Sequence, residues 1–453
     1  MKDEVLRELR AVVGDDWVIT SKEQMESYLT DETSEVIRPK PAERILVVKP
    51  SKTDQVAEVL RVANRHGIPV FPRGGGTGLV GGAVPTQNGI VLSLERMDAV
   101  EIDRENMMAV VEAGATLGKL IENAENSGFA FPPHPGDEGA QIGGLIACNA
   151  GGARALKHGV MRNFVKGLEV VLANGEVLRL GGKLLKDNMG YSIMHLMIGS
   201  EGTLGVITKA ILRLMPKFES TLTMVTPYSS RHEALSAVPK VLWRGILPMA
   251  LEYVERDLME RSAEHLGEKW FVEGDVFLIF ILAGREDDIY SEAEAISDVC
   301  RESGSSEPLV AERRDEQSTI LKIRSNIYTA LKKDTIDILD TTVPPNNIGK
   351  LADAIDAVAT RYNTRLPLYG HAGDGNLHCH IMRNDLRNYS DMKRSIYDST
   401  IALGGVITGE HGVGKLRVFE LQRILPPQHI ILMKELKRVF DPNNILNPSA
   451  VLS

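Results

Sequence analysis

The sequence predicts an α+β protein of more than one domain, and three observations predict it. Its 453 residues are about three times the roughly 150-residue prior for a single domain. Short β-branched runs alternate with amphipathic helical patterns along the chain. Of the 41 glycines, 27 precede Pro216, many of them in three dense loops, and they thin out after it, which places a domain boundary near residue 217.

The elements follow in order. Residues 2–13 read as an amphipathic helix, and 44–49 (RILVVK) as a strand. Residues 53–66 carry apolar side chains at 56, 57, 59, 60 and 63, the pattern of a helix that Gly67 ends, with Ser51 or Thr53 as candidate N-cap. A short strand at 68–71 completes a β–α–β unit. Further strands are expected at 89–94, 109–112 and 168–180, the last folded into a hairpin by Asn174-Gly175. A strand rich in Ile, Leu and Val closes this half within 199–215. Beyond 217, strand-like runs (221–225, 276–282) alternate with helix-like ones (232–243, 291–303), the rhythm of a layer with helices on one face. A helix at 429–439 and a Pro/Asn-rich tail end the chain.

Composition excludes several classes. Lys+Arg 52 against Asp+Glu 61 gives a net charge of −9 with no basic block, a poor match to nucleic acid or an anionic membrane. Three cysteines (Cys148, Cys300, Cys379) supply neither a disulfide framework nor an iron–sulfur cluster, and they fit a reducing compartment. The N-terminal residues mix both charge signs, unlike a signal peptide. The longest apolar run, 276–283, is too short to span a bilayer. The expectation is a soluble, cytoplasmic protein with no transmembrane segment and no nucleic-acid partner.

The first glycine-rich loop is Pro72-Arg73-Gly74-Gly75-Gly76-Thr77-Gly78-Leu79. Gly76-x-Gly78-x-x-Gly81 matches the dinucleotide fingerprint in letters only. That fingerprint requires a helix to start at the loop, whereas Pro85, Asn88-Gly89 and a strand follow here. A glycine loop between two strands can still cradle phosphates, because successive backbone N–H groups line one concavity; otherwise these are plain turn glycines. The second loop holds Gly143-Gly144 and Asn149-Ala150-Gly151-Gly152, and the third Gly199-Ser200-Glu201-Gly202-Thr203-Leu204-Gly205-Val206-Ile207. A long ligand touched by backbone at several points explains three such loops better than turns alone.

A second cluster is Tyr369-Gly370-His371-Ala372-Gly373-Asp374-Gly375-Asn376-Leu377-His378-Cys379-His380. With a Gly-Asp-Gly-Asn turn at 373–376, His371 faces His378 across two strands at about 5 Å, and His380 shares the face of His378. Such a pair either shares a metal ion or is polar surface. Glu410-His411, between Gly409 and Gly412, adds a carboxylate and an imidazole in a tight loop. His, His and Glu make a borderline ligand set that leaves metal positions open.

The run PRGGGTGLVGG, followed by IGG, NAGG, GLEVVLANG and IGSEGTLGVIT, resembles the FAD-binding domain of the vanillyl-alcohol-oxidase/p-cresol-methylhydroxylase (PCMH) family. HAGDGNLH and GEHGVG resemble its D-2-hydroxyacid dehydrogenase branch, which includes D-lactate dehydrogenases and the glycolate oxidase flavin subunit. The resemblance spans residues 38–450. It implies a PCMH-type FAD-binding domain of two α+β subdomains at 1–216, a ferredoxin-like α+β cap domain with a metal site at 217–415, and a helical C-terminal segment at 416–453 that returns to the FAD domain. It implies that Pro72, Arg73, Gly74, Gly75, Gly76, Thr77 and Gly78 bind the FAD pyrophosphate. Gly143, Gly144, Asn149, Gly151 and Gly152 would line the cofactor, and Gly202 and Ile207 would support it. Family members that tether flavin often use a His in the first loop; that stretch has none here, so FAD is expected to be non-covalent.

The resemblance further carries over His371, His378 and Glu410 as ligands of a divalent metal (Zn, Mn or Fe) and His411 as general base. The implied reaction oxidises a small D-2-hydroxy acid to the 2-oxo acid, with the metal polarising the hydroxyl, His411 taking its proton and the Cα hydride passing to flavin N5. Arg324 is the candidate clamp on the substrate carboxylate, its bland alternative being a solvated helix face. D-2-hydroxyglutarate dehydrogenases resemble this chain less near Ile338, where they carry a lysine, and at His380, where they tend to carry Asn. That favours D-lactate or glycolate. Electrons would leave to an acceptor protein, a quinone or oxygen, and the reading admits a homodimer. Two alternatives share the fold. One is the flavin subunit of a glycolate oxidase-type complex. The other is a transferase resembling alkyldihydroxyacetonephosphate synthase, whose loop has His where this chain has Glu410.

Overall fold

The computed structural model describes residues 3–452, so Lys2 of the expected first helix lies outside them. The chain divides into two units. One comprises Met1–Ala150, Val160–Lys217 and Glu410–Ser453, and the other Gly151–Gly159 and Phe218–Gly409. The break at 217 coincides with the change in glycine content. The return falls at Glu410 rather than 415, and a short glycine-led segment, Gly151–Gly159, joins the second unit.

The first unit holds two sheets. In the first, strands Ile45–Val48, Gly89–Ser93 and Val70–Arg73 are parallel, with Val18–Ile19 added antiparallel at one edge. The helix Thr53–His66 packs Val56, Ala57, Val59, Leu60, Val62 and Ala63 into this core. Its N-cap is Lys52, without a side-chain cap bond. Thr53 is instead the first helical residue and donates its hydroxyl to Glu169 at 2.6 Å. Residues 74–88 carry only turns and loops, as the rejected dinucleotide fingerprint requires.

The second sheet is antiparallel, in the order Val100–Asp103, Met108–Glu112, Val206–Arg213, Val165–Val171, Val177–Gly181. Asn174-Gly175 turns the last pair, with Gly175 at φ +80°. The C-terminal segment completes the first core. Ile445 and Leu446 are buried in it, and Val70 exchanges backbone bonds with Ile445 and Asn447 at 2.7 and 2.8 Å.

The second unit is built on a seven-stranded antiparallel sheet, wider than the four strands of one ferredoxin-like β-α-β-β-α-β repeat. Its order is Leu309–Ala311, Ser220–Tyr228, Val276–Gly284, Ala250–Glu255, Leu368–His371, Asn376–Met382, Thr335–Thr342. Helices cover both faces, not one. Val225, Val254 and Ile279 pack with Leu258, Ile320 and Ile323 from the helices Arg256–His265 and Arg314–Ser325. The neighbouring Met224 points the other way, its sulfur 3.5 Å from Ser297 on the helix Glu286–Glu302. The run 276–283 is therefore a central strand, apolar on both sides because both sides are covered.

Candidate functional site

In the second unit, the strand register puts polar side chains in rows on one sheet face. Tyr369 pairs with His378 and His378 with Asp340; His371 pairs with Asn376 and Asn376 with Thr342. The turn therefore comprises Ala372–Gly375, one residue earlier than expected, because Ala372–Asp374 form a 3-10 turn capped by left-handed Gly375. His371 and His378 are diagonal rather than direct neighbours. Since strand side chains alternate, they still share a face, with ring centroids 5.2 Å apart.

Glu252 and Asp340 are the two carboxylates of this face, and neither stood out in the sequence. Glu252 accepts from His371 Nδ1 at 2.7 Å, and its other oxygen forms an ion pair with Arg324. It is 2% exposed. Burial alone would raise its carboxyl; the Arg324 charge and the hydrogen bond from His371 outweigh that and hold it below the usual range. Arg324, expected to clamp a carboxylate, is not on a solvated helix face: it is buried, already engaged by Glu252, and stacked over Tyr369 at 4.8 Å. Nη2 meets Glu252 and Nε has no hydrogen-bond partner, so a donor remains for an anion.

Asp340 is fully buried and bound on both oxygens. Oδ1 accepts from Asn376 at 2.8 Å and lies 3.7 Å from His378 Nδ1; Oδ2 accepts from Thr408 Oγ at 2.9 Å and Gly409 N at 2.8 Å. His380 is occupied structurally, with Nδ1 on Thr335 at 2.9 Å and Nε2 on the Tyr369 hydroxyl at 3.2 Å. Ile338, opposite His380, is buried and apolar.

In the first unit, the loop after Glu410 is fixed by Glu201, which accepts from Val413 N at 2.8 Å and Gly414 N at 2.7 Å. Burial pushes this carboxyl up despite those bonds. Gly414 sits at φ +53° with the Val80 carbonyl where a Cβ would be, and a Cβ on Gly412 would meet Glu201 Oε1 at 2.9 Å. The glycines of GEHGVG are thus needed for close approach. Glu410 Oε1 and His411 Nε2 lie 3.8 Å apart. Lys415 completes the anchor, donating to Gly82 O and Asn447 Oδ1, both at 2.9 Å; burial lowers it to about 8.

The glycine loops of this unit fit an extended cofactor. A Cβ built on Gly74 would lie 3.7 Å from Gly144 Cα, so the first loop adjoins the helix Ile142–Cys148, which holds Gly143 and Gly144 in place of the expected loop, while Gly78 and Gly144 face open space. Not every expected residue has a direct role. Arg73 spends its guanidinium on the carbonyls of Ser27 and Thr30, both at 2.7 Å. It braces the loop instead of reaching outward. Gly202, at φ +70°, packs on Pro72, and Ile207 is a core residue of its strand. Asn149 caps the helix Ile142–Cys148 and accepts from Arg162 N at 3.0 Å. Gly151 and Gly152 fall in the second unit. Cys148 stays a thiol, pushed up to about 12 by burial.

Known families account for most of the chain. Residues 45–181 match the family described as FAD binding domain, and residues 217–451 the family described as FAD linked oxidases, C-terminal domain. The chain is 43% identical over 430 residues to the D-lactate dehydrogenase of Archaeoglobus fulgidus, covering 94% of this chain and 96% of that protein. It is 37% identical over 417 residues to glycolate oxidase subunit GlcD of Bacillus subtilis, covering 90% and 88%. Among solved structures, p-cresol methylhydroxylase with substrate bound has a TM-score of 0.80 at 19% identity, covering 99% of this chain and 96% of that one. Alkyldihydroxyacetonephosphate synthase has a TM-score of 0.75 at 19% identity, covering 99% and 86%. At such identities the structural likeness speaks for the fold alone. Among the described residues, no helix is long and apolar enough to cross a membrane.

Proposed function

The chain belongs to the FAD-linked oxidases, and from that premise we propose that it oxidises a small D-2-hydroxy acid, D-lactate or glycolate, to the 2-oxo acid with the help of a divalent metal. The observation that carries this reading is the His371–His378 pair, with His371 tied through Nδ1 to Glu252 and Glu252 tied to Arg324. A histidine whose Nδ1 is held by a carboxylate presents Nε2, the arrangement that metal-ligating imidazoles adopt.

Bound FAD would supply the electron acceptor and a Zn, Mn or Fe(II) ion a Lewis acid. The remaining work belongs to the chain. His371, His378 and Glu410 would hold the ion. Asp340 holds the two residues that precede Glu410 in sequence, accepting from Thr408 Oγ and Gly409 N. Arg324 would bind the substrate carboxylate with the donors that Glu252 leaves over. His411 would accept the hydroxyl proton. Ile338 offers no charge to a second carboxylate, which favours D-lactate or glycolate over a dicarboxylic acid. Pro72 through Gly78, with Gly143, Gly144, Asn149, Gly151 and Gly152, would cradle FAD without a covalent bond.

A second reading, a flavin subunit working in a larger complex, shares this chemistry and draws on the likeness to the glycolate oxidase subunit. The electron would then leave through a partner protein rather than a quinone. The test is to purify the protein, measure its metal content by mass spectrometry, and assay a panel of D- and L-acids with an artificial acceptor. About one metal per chain and turnover of D-lactate or glycolate, lost in His411→Asn, is expected. Full turnover in metal-free protein would overturn the reading.

A further inference from the structure

We infer that Glu252 is a positioning residue that sets the tautomer of His371 and the aim of Arg324, so that one buried carboxylate organises two contacts at once. This rests on the function proposed above and gives a role to a residue outside the sequence motifs.

The argument starts from cost. Glu252 sits in Ala250–Glu255, a strand buried along its whole length. A carboxylate there faces a desolvation penalty of several kcal/mol. An apolar residue would serve the sheet better, so the carboxylate must offset its burial through specific partners. It has two, one per oxygen: His371 Nδ1 at 2.7 Å on Oε1, and the Arg324 guanidinium on Oε2. An ionised carboxylate only accepts. Nδ1 of His371 therefore faces an acceptor, which fixes a proton there and turns Nε2 to the far side of the ring.

The second partner is held in a complementary way. Arg324 is fixed by the charge of Glu252, which its Nη2 meets, and by the ring of Tyr369, while Nε has no hydrogen-bond acceptor. The ion pair orients the guanidinium and leaves Nε over. A plain structural salt bridge would show the opposite: a bidentate pair with all donors satisfied. Register accounts for the arrangement. Tyr253 pairs with Gly370, so Glu252 comes opposite His371 on the next strand and on the same face.

The test compares wild type, Glu252→Gln, the charge-balanced double variant Glu252→Gln/Arg324→Met, and His378→Ala as a control that removes a proposed ligand. Each holoprotein is stripped with chelator and titrated with Zn(II) against a chromophoric competitor. Thermal unfolding and flavin absorbance confirm that it is folded. We expect Glu252→Gln to weaken Zn(II) by about 10–100-fold, the double variant to stay equally weak, and His378→Ala to abolish binding. Wild-type affinity in Glu252→Gln would overturn the inference and leave the metal site standing. Recovery in the double variant would also overturn it, since charge balance would then explain the pair. If wild type binds no Zn(II) or Mn(II), the metal reading fails and this inference falls with it. Should Glu252→Gln not fold, Glu252→Asp keeps the charge but withdraws it by one methylene, and an unchanged affinity there refutes the assignment.

Discussion

Replacing Asp340 by Asn tests the anchor of the GEHGVG loop without changing side-chain volume. Asp340 accepts on both oxygens: Asn376 on one, Thr408 and Gly409 on the other. Whichever way an asparagine amide is turned, its NH2 meets a donor. Turned one way it loses the Asn376 bond and turned the other the Thr408 and Gly409 bonds, so two bonds at about 1–3 kcal/mol each are the ceiling, and the structure lowers it. Asn376 keeps Thr341 O and Thr342 Oγ at 3.1 and 2.9 Å. Gly409 is exposed and has the Asp340 carbonyl at 3.1 Å, and the half-buried Thr408 hydroxyl can rotate. One mismatched pair remains, worth about 1–3 kcal/mol locally. In a two-unit protein a global unfolding free energy is poorly defined, so the assay is amide exchange by mass spectrometry on a peptide spanning 405–412. Its exchange should speed by about 10- to 100-fold, at 1.4 kcal/mol per factor of ten, with distant peptides unchanged. Turnover should fall by about tenfold or more, because small misplacements of reacting groups are costly. Unchanged exchange and unchanged turnover would refute the claim that Asp340 sets this loop.

Three further outcomes follow from the same geometry. Gly78→Val and Gly144→Val grow into open space, so FAD content should drop while the apoprotein's melting temperature stays within a few degrees; equal FAD content would mean that neither glycine lines the cofactor. Gly414→Ala must adopt φ near +53° against the Val80 carbonyl, and should give little folded protein, read as soluble yield with bound flavin. Lys415 tests linkage. Its folded value of about 8 lies below the roughly 10.4 of an unfolded lysine, so between these limits the unfolded chain binds more protons. The group's contribution to stability therefore rises with pH through that window. Relative to Lys415→Met, wild type should gain at most about 3 kcal/mol from pH 7 to 10.5, followed as flavin release on heating.

Much of this was legible in the sequence because local rules decide it. The helix Thr53–His66 was set by its apolar spacing and Gly67, and the Asn174-Gly175 hairpin by turn chemistry. The features that were not legible depend on register or on partners distant in sequence. Gly-Asp-Gly-Asn marks a turn but not its first residue. The 3-10 turn at Ala372–Asp374 moved the pairing by one, and the two histidines met diagonally. Arg73 belongs to a phosphate-loop motif, yet Ser27 and Thr30, more than forty residues away, claim its side chain. Glu252 and Asp340 left a fainter signal: each is an acid inside an otherwise buried strand, and such an acid needs a partner. Read that way, MALEYVE and IDILDTT would have marked both.

The most direct test of the central claim is the flavin spectrum of the anaerobic holoprotein mixed with D-lactate, L-lactate or glycolate, before and after chelation. The account predicts that D-lactate or glycolate bleaches the oxidised flavin band, that chelator abolishes the bleaching while FAD stays bound, and that Zn(II) or Mn(II) restores it. A flavin that bleaches equally well without metal, or that none of these acids reduces, would contradict it.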